Sequence, residues 1–273
     1  IINATLISQP QFVGDPTAAT KVIWYCGGHG SCLPGQGDPS ADDTWVMMQT
    51  VNWMNVYVKG DGTDPTGPAF EWSDQNGDYW YSNNLPSASN FDDPLRTITS
   101  TGTGKVLPIF PILGGSGPAP QVDLPYSLGD GSVASNAVNI ALTNPVHPGD
   151  DPIPVVGAPT LTMTYSGIGT SRHVYAQIVD KNTGLVVGNL VTPIPVTLDG
   201  KEHPVTVPLN DIAYTLDASS NLELQIVTTA TPYLNLTQYG FINIGAVSLD
   251  LPVPTSAIQQ NPAAAVTDQL VAV

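Results

Sequence analysis

Apolar and polar residues alternate most regularly in the second half of the chain. Thr160-Leu161-Thr162-Met163-Thr164-Tyr165 and residues 173–179 (HVYAQIV) carry apolar side chains at alternate positions, the period of a half-buried β-strand. Asp180-Lys181-Asn182-Thr183-Gly184 reads as a turn, with a return strand over 185–187. Further strands are predicted over 194–198, 203–207, 221–228 and 246–251, in a series that opens near Val155. Many short strands at turn-separated intervals predict a β-sandwich, and the chain as a whole reads as mainly β.

The first half is patterned differently. Val22-Ile23-Trp24-Tyr25-Cys26 is a short β-branched and aromatic run that stops at Gly27-Gly28, with His29 and Gly30 following. It predicts a buried strand whose end carries a histidine in a Gly-rich turn. A loop over 33–43 leads to a helix predicted over 44–59, with Asp42 or Asp43 as its N-cap. Trp45, Met48, Val51 (or Asn52) and Val56 form one broken apolar stripe, and Met47, Met54 and Val58 a second flank, so the helix is expected to be buried on much of its circumference. Gly60 ends it. Phe70-Glu71-Trp72 and Tyr79-Trp80-Tyr81 read as strands joined through Asp74–Asp78. Asp74, Asn76 and Asp78 have the alternating spacing of a calcium loop, but the downstream ligands are missing, and a hairpin turn is the better reading. Residues 85–107 are polar and turn-rich. A strand over 107–113 is broken by Pro108 and Pro111, which confines it to an edge, and 114–151 reads as an irregular connection with a weak apolar core at 138–142. The tail, 254–273, lacks a pattern.

Charge narrows the choice of partners. Seven Lys and Arg stand against 23 Asp and Glu, a formal charge of -16, which repels phosphate backbones and argues against a nucleic-acid partner. No stretch approaches the roughly 20 apolar residues that span a bilayer. Ile1 opens no signal peptide, with no basic n-region or initiator Met, so the chain is expected to be processed, truncated or read only in part. Cys26 and Cys32 flank the histidine turn. A disulfide between them would pin His29 and imply an oxidising compartment. Two buried thiols are the alternative, and zinc lacks local ligands beyond His29. No cofactor is implied.

IWYCGGHGSC, followed by TWVMMQTVNWMNVYVKGDG, GPAFEWSDQNGDYWYSNNLP and the β-rich stretch from Val155 to Pro252, resembles the last part of the X-prolyl dipeptidyl peptidase and cocaine esterase (CocE/NonD) family of serine hydrolases. It is closest to the secreted actinobacterial versions, in which cysteines flank the same turn. The resemblance implies that the last strand and helix of an α/β-hydrolase sheet (1–59) precede a jelly-roll sandwich (60–253) and an extended tail (254–273). It implies that His29 is the triad base, serving ester or X-Pro peptide hydrolysis in a secreted or envelope-associated enzyme.

A triad also needs a nucleophile and an acid. Gly115-Ser116-Gly117 fails as a nucleophile elbow because Pro118 holds its last position, and Gly131-Ser132 fails too. Asp15 precedes His29 but sits where the family has a simple turn. The serine and acid are therefore expected from an N-terminal hydrolase portion outside this chain, in the same precursor or a separate polypeptide, and the chain alone is expected to be inactive. His147, His173 and His203 read as surface or strand residues. The competing function is a non-catalytic sandwich, binding sugar or protein or serving in a surface assembly, with Trp72, Trp80 and Tyr81 exposed as a stacking platform.

Overall fold

A computed structural model describes residues 19–25, 39–61, 66–84, 96–110, 117–120, 128–134, 136–230, 233, 237–254 and 256–260. They are mainly β-strand, with one α-helix. In chain order these are β1 (Val22–Trp24), α1 (Pro39–Met54), β2 (Phe70–Ser73) and β3 (Tyr79–Ser82). There follow β4 (Thr97–Thr103), β5 (Val106–Ile109), β6 (Gly117–Pro120), β7 (Leu128–Ser132), β8 (Ala137–Ala141), β9 (Ile153–Gly157) and β10 (Thr160–Gly169). Next are β11 (His173–Asp180), β12 (Leu185–Val186), β13 (Thr192–Pro195), β14 (His203–Pro208), β15 (Ile212–Leu216), β16 (Leu222–Val227), β17 (Gly240–Pro252) and β18 (Ile258–Gln260). The chain divides into two compact units, one of Ile1–Arg96 with Pro254–Val273, the other of Thr97–Val253.

The larger unit is a jelly-roll sandwich. One sheet runs β14-β10-β17-β4, with β5 also on β17, and the facing sheet contains β8-β16-β11, with β13 and β12 on β11. The first strand therefore pairs with the last long one, β4 with β17. From β8 to β10 to β11, and again from β14 to β16 to β17, the chain passes between these two sheets, with the intervening β9 and β15 pairing with each other, a jelly-roll pattern of connections. Leu161 and Met163 of β10 and Ile242 and Ile244 of β17 meet Val174, Ala176 and Ile178 of β11 and Leu224 and Ile226 of β16 in one continuous apolar core. Each such Val, Leu, Ile or Met side chain contributes about 1.5–3 kcal/mol by leaving water.

The smaller unit has a sheet in the order β1-β2-β3-β18. β1 runs parallel to β2, with Val22 opposite Phe70 and Trp24 opposite Trp72. The β2–β3 hairpin turns on Asp74. Its Oδ1 accepts the backbone N–H groups of Asn76 (2.9 Å) and Asp78 (3.0 Å), and its Oδ2 accepts Trp80 Nε1–H (3.0 Å). Gly77, at φ 78°, completes the turn.

Several expectations change. α1 begins at Pro39, five residues before the predicted start, and Pro is suited to the first turn of a helix. Asp42 is thereby inside the helix rather than at its cap, buried, with Oδ1 accepting the Tyr79 hydroxyl at 2.6 Å. Residues 55–59 continue as a π-helical turn that Gly60 ends in a left-handed conformation (φ 77°). The helix is not buried all round: Met47, Val51, Met54 and Val58 are exposed. The region read as polar turns and irregular connection supplies β4 and β8, because their partners β17 and β16 offer complete rows of backbone groups. The β2–β3 hairpin pairs with β1 and belongs to the compact unit of Ile1–Arg96 with Pro254–Val273. The tail contributes β18, which pairs with β3 antiparallel. Among the described residues no helix is long and apolar enough to cross a membrane.

Candidate active site

The connection between β1 and α1 carries the residues of interest. Cys26, His29 and Cys32 lie outside the described residues, as does Asp15. The structure defines the two elements on either side of them. β1 ends at Trp24, held to β2 by Val22 N–H donating to Ala69 O at 2.9 Å. Trp24 meets the Phe70 ring edge-on at 5.0 Å, and Phe70 stacks on Trp72 at 4.8 Å. α1 is held to the same sheet through Tyr79, whose hydroxyl donates to Asp42 and whose ring packs on Trp45 at 4.7 Å.

A buried ion pair sits at the foot of β1. Lys21 Nζ lies 2.5 Å from Glu71 Oε2, and both side chains are almost fully buried. The Lys21 ammonium donates to Gln49 Oε1 of α1 (2.9 Å) and Thr66 O (2.7 Å), so it ties strand, helix and hairpin together. Glu71 Oε2 is held by this ion pair, and its Oε1 accepts from Gln260 Nε2 at 3.0 Å. Gly67 (φ 68°) leaves room for the ammonium, since a Cβ there would lie 2.9 Å from Lys21 Nζ. Sequence reading passed over this pair. The available signal was a single charge, Glu71, inside an aromatic strand.

The other histidines are placed away from nucleophiles. His203 Nε2 lies 2.8 Å from Asp199 Oδ1, and this hydrogen bond holds the Asp199 carboxyl below its ordinary pKa. His147 Nδ1 lies 3.4 Å from Asp150 Oδ2, both exposed. His173 is exposed and opens β11 opposite Pro195. Among the described residues none of these rings bonds a serine, threonine or cysteine, so two histidine–carboxylate pairs lack the third member of a triad. Asp74 is spent on its hairpin, and among the described residues no group of three or more His, Cys, Asp or Glu is arranged to hold a metal. Burial, and secondarily Asp74, raise the Asp78 carboxyl above its ordinary pKa.

The proposed aromatic platform is overturned. Trp72 and Trp80 are core residues, their indoles parallel at 6.4 Å, and Tyr81 is only partly exposed. The reason is register: Trp72 lies opposite Trp80 in a sheet whose first strand is also aromatic, and burial of those rings is what holds this small sheet together. The exposed aromatics of the sandwich are elsewhere. Phe241 of β17 lies between Ile168 and Pro108, with Tyr239 and Phe110 flanking, all exposed.

The fold and site define a mainly β jelly roll joined to a parallel strand-and-helix unit. No family model matches the sequence, and comparison with curated proteins gives no match. Solved structures do share the fold. An alpha-amino acid ester hydrolase superposes with a TM-score of 0.55 at 10% identity, over 80% of this chain and 46% of its own. An aminopeptidase from a marine sediment archaeon (Thaumarchaeota archaeon) gives 0.51 at 10% identity, over 88% of this chain and 49% of its own. A CocE/NonD family hydrolase from Staphylococcus aureus gives 0.47 at 11% identity, over 78% and 47%. The chain spans just under half the length of these proteins, and its likeness to the ester hydrolase and the aminopeptidase is one of fold.

Proposed function

We propose that this chain is the histidine-bearing C-terminal portion of a serine hydrolase that cleaves acyl esters or X-Pro peptides. One observation carries the reading. A strand paired in parallel, a connection bearing Cys26-Gly-Gly-His29-Gly-Ser-Cys32, and a helix returning to the same sheet precede a jelly roll whose fold is that of larger hydrolases. Histidines that follow parallel strands are well placed for chemistry, because open α/β sheets gather their sites beyond the carboxyl ends of the strands.

In this reading His29 takes the proton of a serine hydroxyl supplied by the N-terminal hydrolase portion and returns it to the leaving group, with a carboxylate from that portion orienting the ring. A Cys26–Cys32 disulfide fixes the turn, as suits a secreted or envelope-associated enzyme of actinobacterial type. The test is fluorophosphonate labelling of the complete protein, with p-nitrophenyl acetate hydrolysis as the companion assay. A labelled serine in the complete protein, and loss of turnover by ~10³-fold or more in His29→Ala with unchanged tryptophan emission, is the expected result. Undiminished turnover in the variant removes His29 from the mechanism.

The second reading, a non-catalytic binding sandwich, is favoured by the exposed Phe110, Tyr239 and Phe241 cluster. It predicts no fluorophosphonate adduct, and weakened ligand retention in Phe241→Ala.

A further inference from the structure

An amine, a carboxamide and a carboxylate meet at one buried point of the smaller unit. The amine is Lys21 Nζ, with Gln49 Oε1 at 2.9 Å and Glu71 Oε2 at 2.5 Å. A Cβ on Gly67 would lie 2.9 Å from Nζ, 3.8 Å from Gln49 Oε1 and 3.9 Å from Glu71 Oε2, so the three atoms surround the space this glycine leaves open. The Lys21 and Glu71 side chains are 6% and 2% exposed, and Gln49 is 7% exposed. Lysines 59, 105, 181 and 201 are exposed, so Lys21 alone among the described lysines is held out of water.

The three groups are fixed from several sides. Thr66 O accepts from Nζ at 2.7 Å, and Gln260 Nε2 donates to Glu71 Oε1 at 3.0 Å. Ile23 of β1 and Tyr81 of β3 lie opposite Glu71 on its two sides in the sheet. In water an ammonium does not attack an amide, because a proton occupies its electron pair. Burial penalises both charges of this pair. A proton passing from Nζ to Glu71 removes both at once and frees the electron pair of the amine. Desolvation is one of the ways a lysine becomes a nucleophile, and holding it beside its target replaces a bimolecular encounter with an intramolecular one.

We infer that this is a self-modification site, at which Lys21 Nζ and Gln49 Cδ join in an intramolecular isopeptide bond with Glu71 as proton carrier. Glu71 accepts a proton from Nζ, and the freed electron pair attacks Cδ. Glu71 then passes its proton to Gln49 Nε2 and takes the next one from Nζ. The Cδ–Nε2 bond breaks with its electron pair on nitrogen and ammonia leaves. A neutral amide and a protonated Glu71 remain, and the step needs no oxidant or co-reactant. The ion pair is the state before linkage, and the freshly folded protein carries it. The bond closes a covalent ring over residues 21–49, which contains Cys26, His29 and Cys32, and ties the foot of β1 to α1. This linkage stands independently of the hydrolase reading.

The experiment is peptide mapping of the complete protein. It is held folded at neutral pH, sampled over days, denatured, digested and analysed by tandem mass spectrometry. A branched peptide joining residues 21 and 49, lighter by one ammonia than its two arms together, is expected to accumulate. Lys21→Arg keeps a cation beside Glu71 without a primary amine and should give no branched peptide. Glu71→Gln keeps the shape but removes the proton carrier, and linkage of 21 to 49 should slow by about 10²-fold or more. Native tryptophan emission certifies the fold of each variant. Separate peptides for residues 21 and 49 throughout the time course of the unaltered protein overturn the proposal, and this comparison does not depend on any variant folding. A product lighter by one water that joins residue 21 to residue 71 overturns it as well, since Glu71 is then the acceptor. Linkage at an undiminished rate in Glu71→Gln overturns the role given to Glu71.

Discussion

The two units of this chain solve burial in opposite ways. The sandwich buries a continuous aliphatic core, and where it buries polar groups it pairs them: Gln225 Oε1 accepts from Gln177 Nε2 and from Ala134 N–H, both at 2.9 Å, and Lys181 reaches Glu223 at 3.1 Å. The strand-and-helix unit buries Asp42, Gln49, Glu71, Ser73 and Asp74, leaves several polar atoms unpaired, and turns a line of Met and Val to solvent. The sandwich is a self-contained structure. The smaller unit is the one whose range includes His29. All five tryptophans (24, 45, 53, 72 and 80) belong to it, so their fluorescence reads that unit alone while the far-ultraviolet signal is dominated by the sandwich.

This separation can be broken from either side. The largest effect is expected at the buried ion pair. Lys21→Met leaves Glu71 as an uncompensated buried charge, a change that costs about 3–5 kcal/mol. The tryptophan-detected urea midpoint should fall while the sandwich transition stays in place, and adding Glu71→Leu should restore most of the loss. A parallel drop in both transitions would show that the units do not unfold separately. Next is Gly240, which opens β17 opposite Gly169 of β10. Its φ is 134°, and a Cβ would lie 2.1 Å from Ile168 O. Gly240→Ala therefore combines backbone strain with overpacking and is expected to cost about 2–4 kcal/mol, this time in the sandwich transition with tryptophan emission unmoved. Asp74→Ala is smaller, about 1–3 kcal/mol, because it strands the buried Trp80 indole N–H and two turn amides. It should lower the tryptophan-detected midpoint only.

What the sequence made legible follows the same division. In β10 and β11 the apolar positions Leu161, Met163, Val174, Ala176 and Ile178 are the residues that fill the core, so alternation located the strands and their inward faces. β4, Thr-Ile-Thr-Ser-Thr-Gly-Thr, has no apolar alternation to detect and owes its existence to seven residues of pairing with β17. For α1, periodicity found a helix but not its orientation. Reading a helix face assumes that the apolar side is the buried one, and here Asp42 and Gln49 are drawn inward by Tyr79 and Lys21, partners far away in sequence. Trp72 and Trp80 were misjudged for a related reason: an aromatic on a strand faces core or solvent according to what covers the sheet. The strand predicted before the Gly-His run is β1, two residues shorter than expected, and the helix predicted after it is α1, with an earlier start; the run itself lies outside the described residues.

The finest comparison is in acid. In the smaller unit burial raises the Asp78 carboxyl above its ordinary value of 3.8, so the folded state binds that proton more tightly than the unfolded chain. Its contribution is fully present below the unfolded value and is lost as pH rises through the folded one. In the sandwich the signs reverse. The hydrogen bond from His203 lowers Asp199, and that from the Ser219 hydroxyl lowers Asp217. Their contributions are present above the unfolded value and vanish as pH falls through the folded ones. Between pH 5 and the region below 3.8, these groups therefore push the two transitions in opposite directions, strengthening the tryptophan-detected one and weakening the sandwich. Asp78→Asn should flatten the first slope and leave the second, while His203→Gln should reduce the second and leave the first. Asp199 and Asp217 are exposed and Asp78 is only partly buried, so the effects are small and read best as differences between variants at fixed ionic strength. If Asp78→Asn leaves the tryptophan-detected slope unchanged, Asp78 is not the group whose proton the folded hairpin holds.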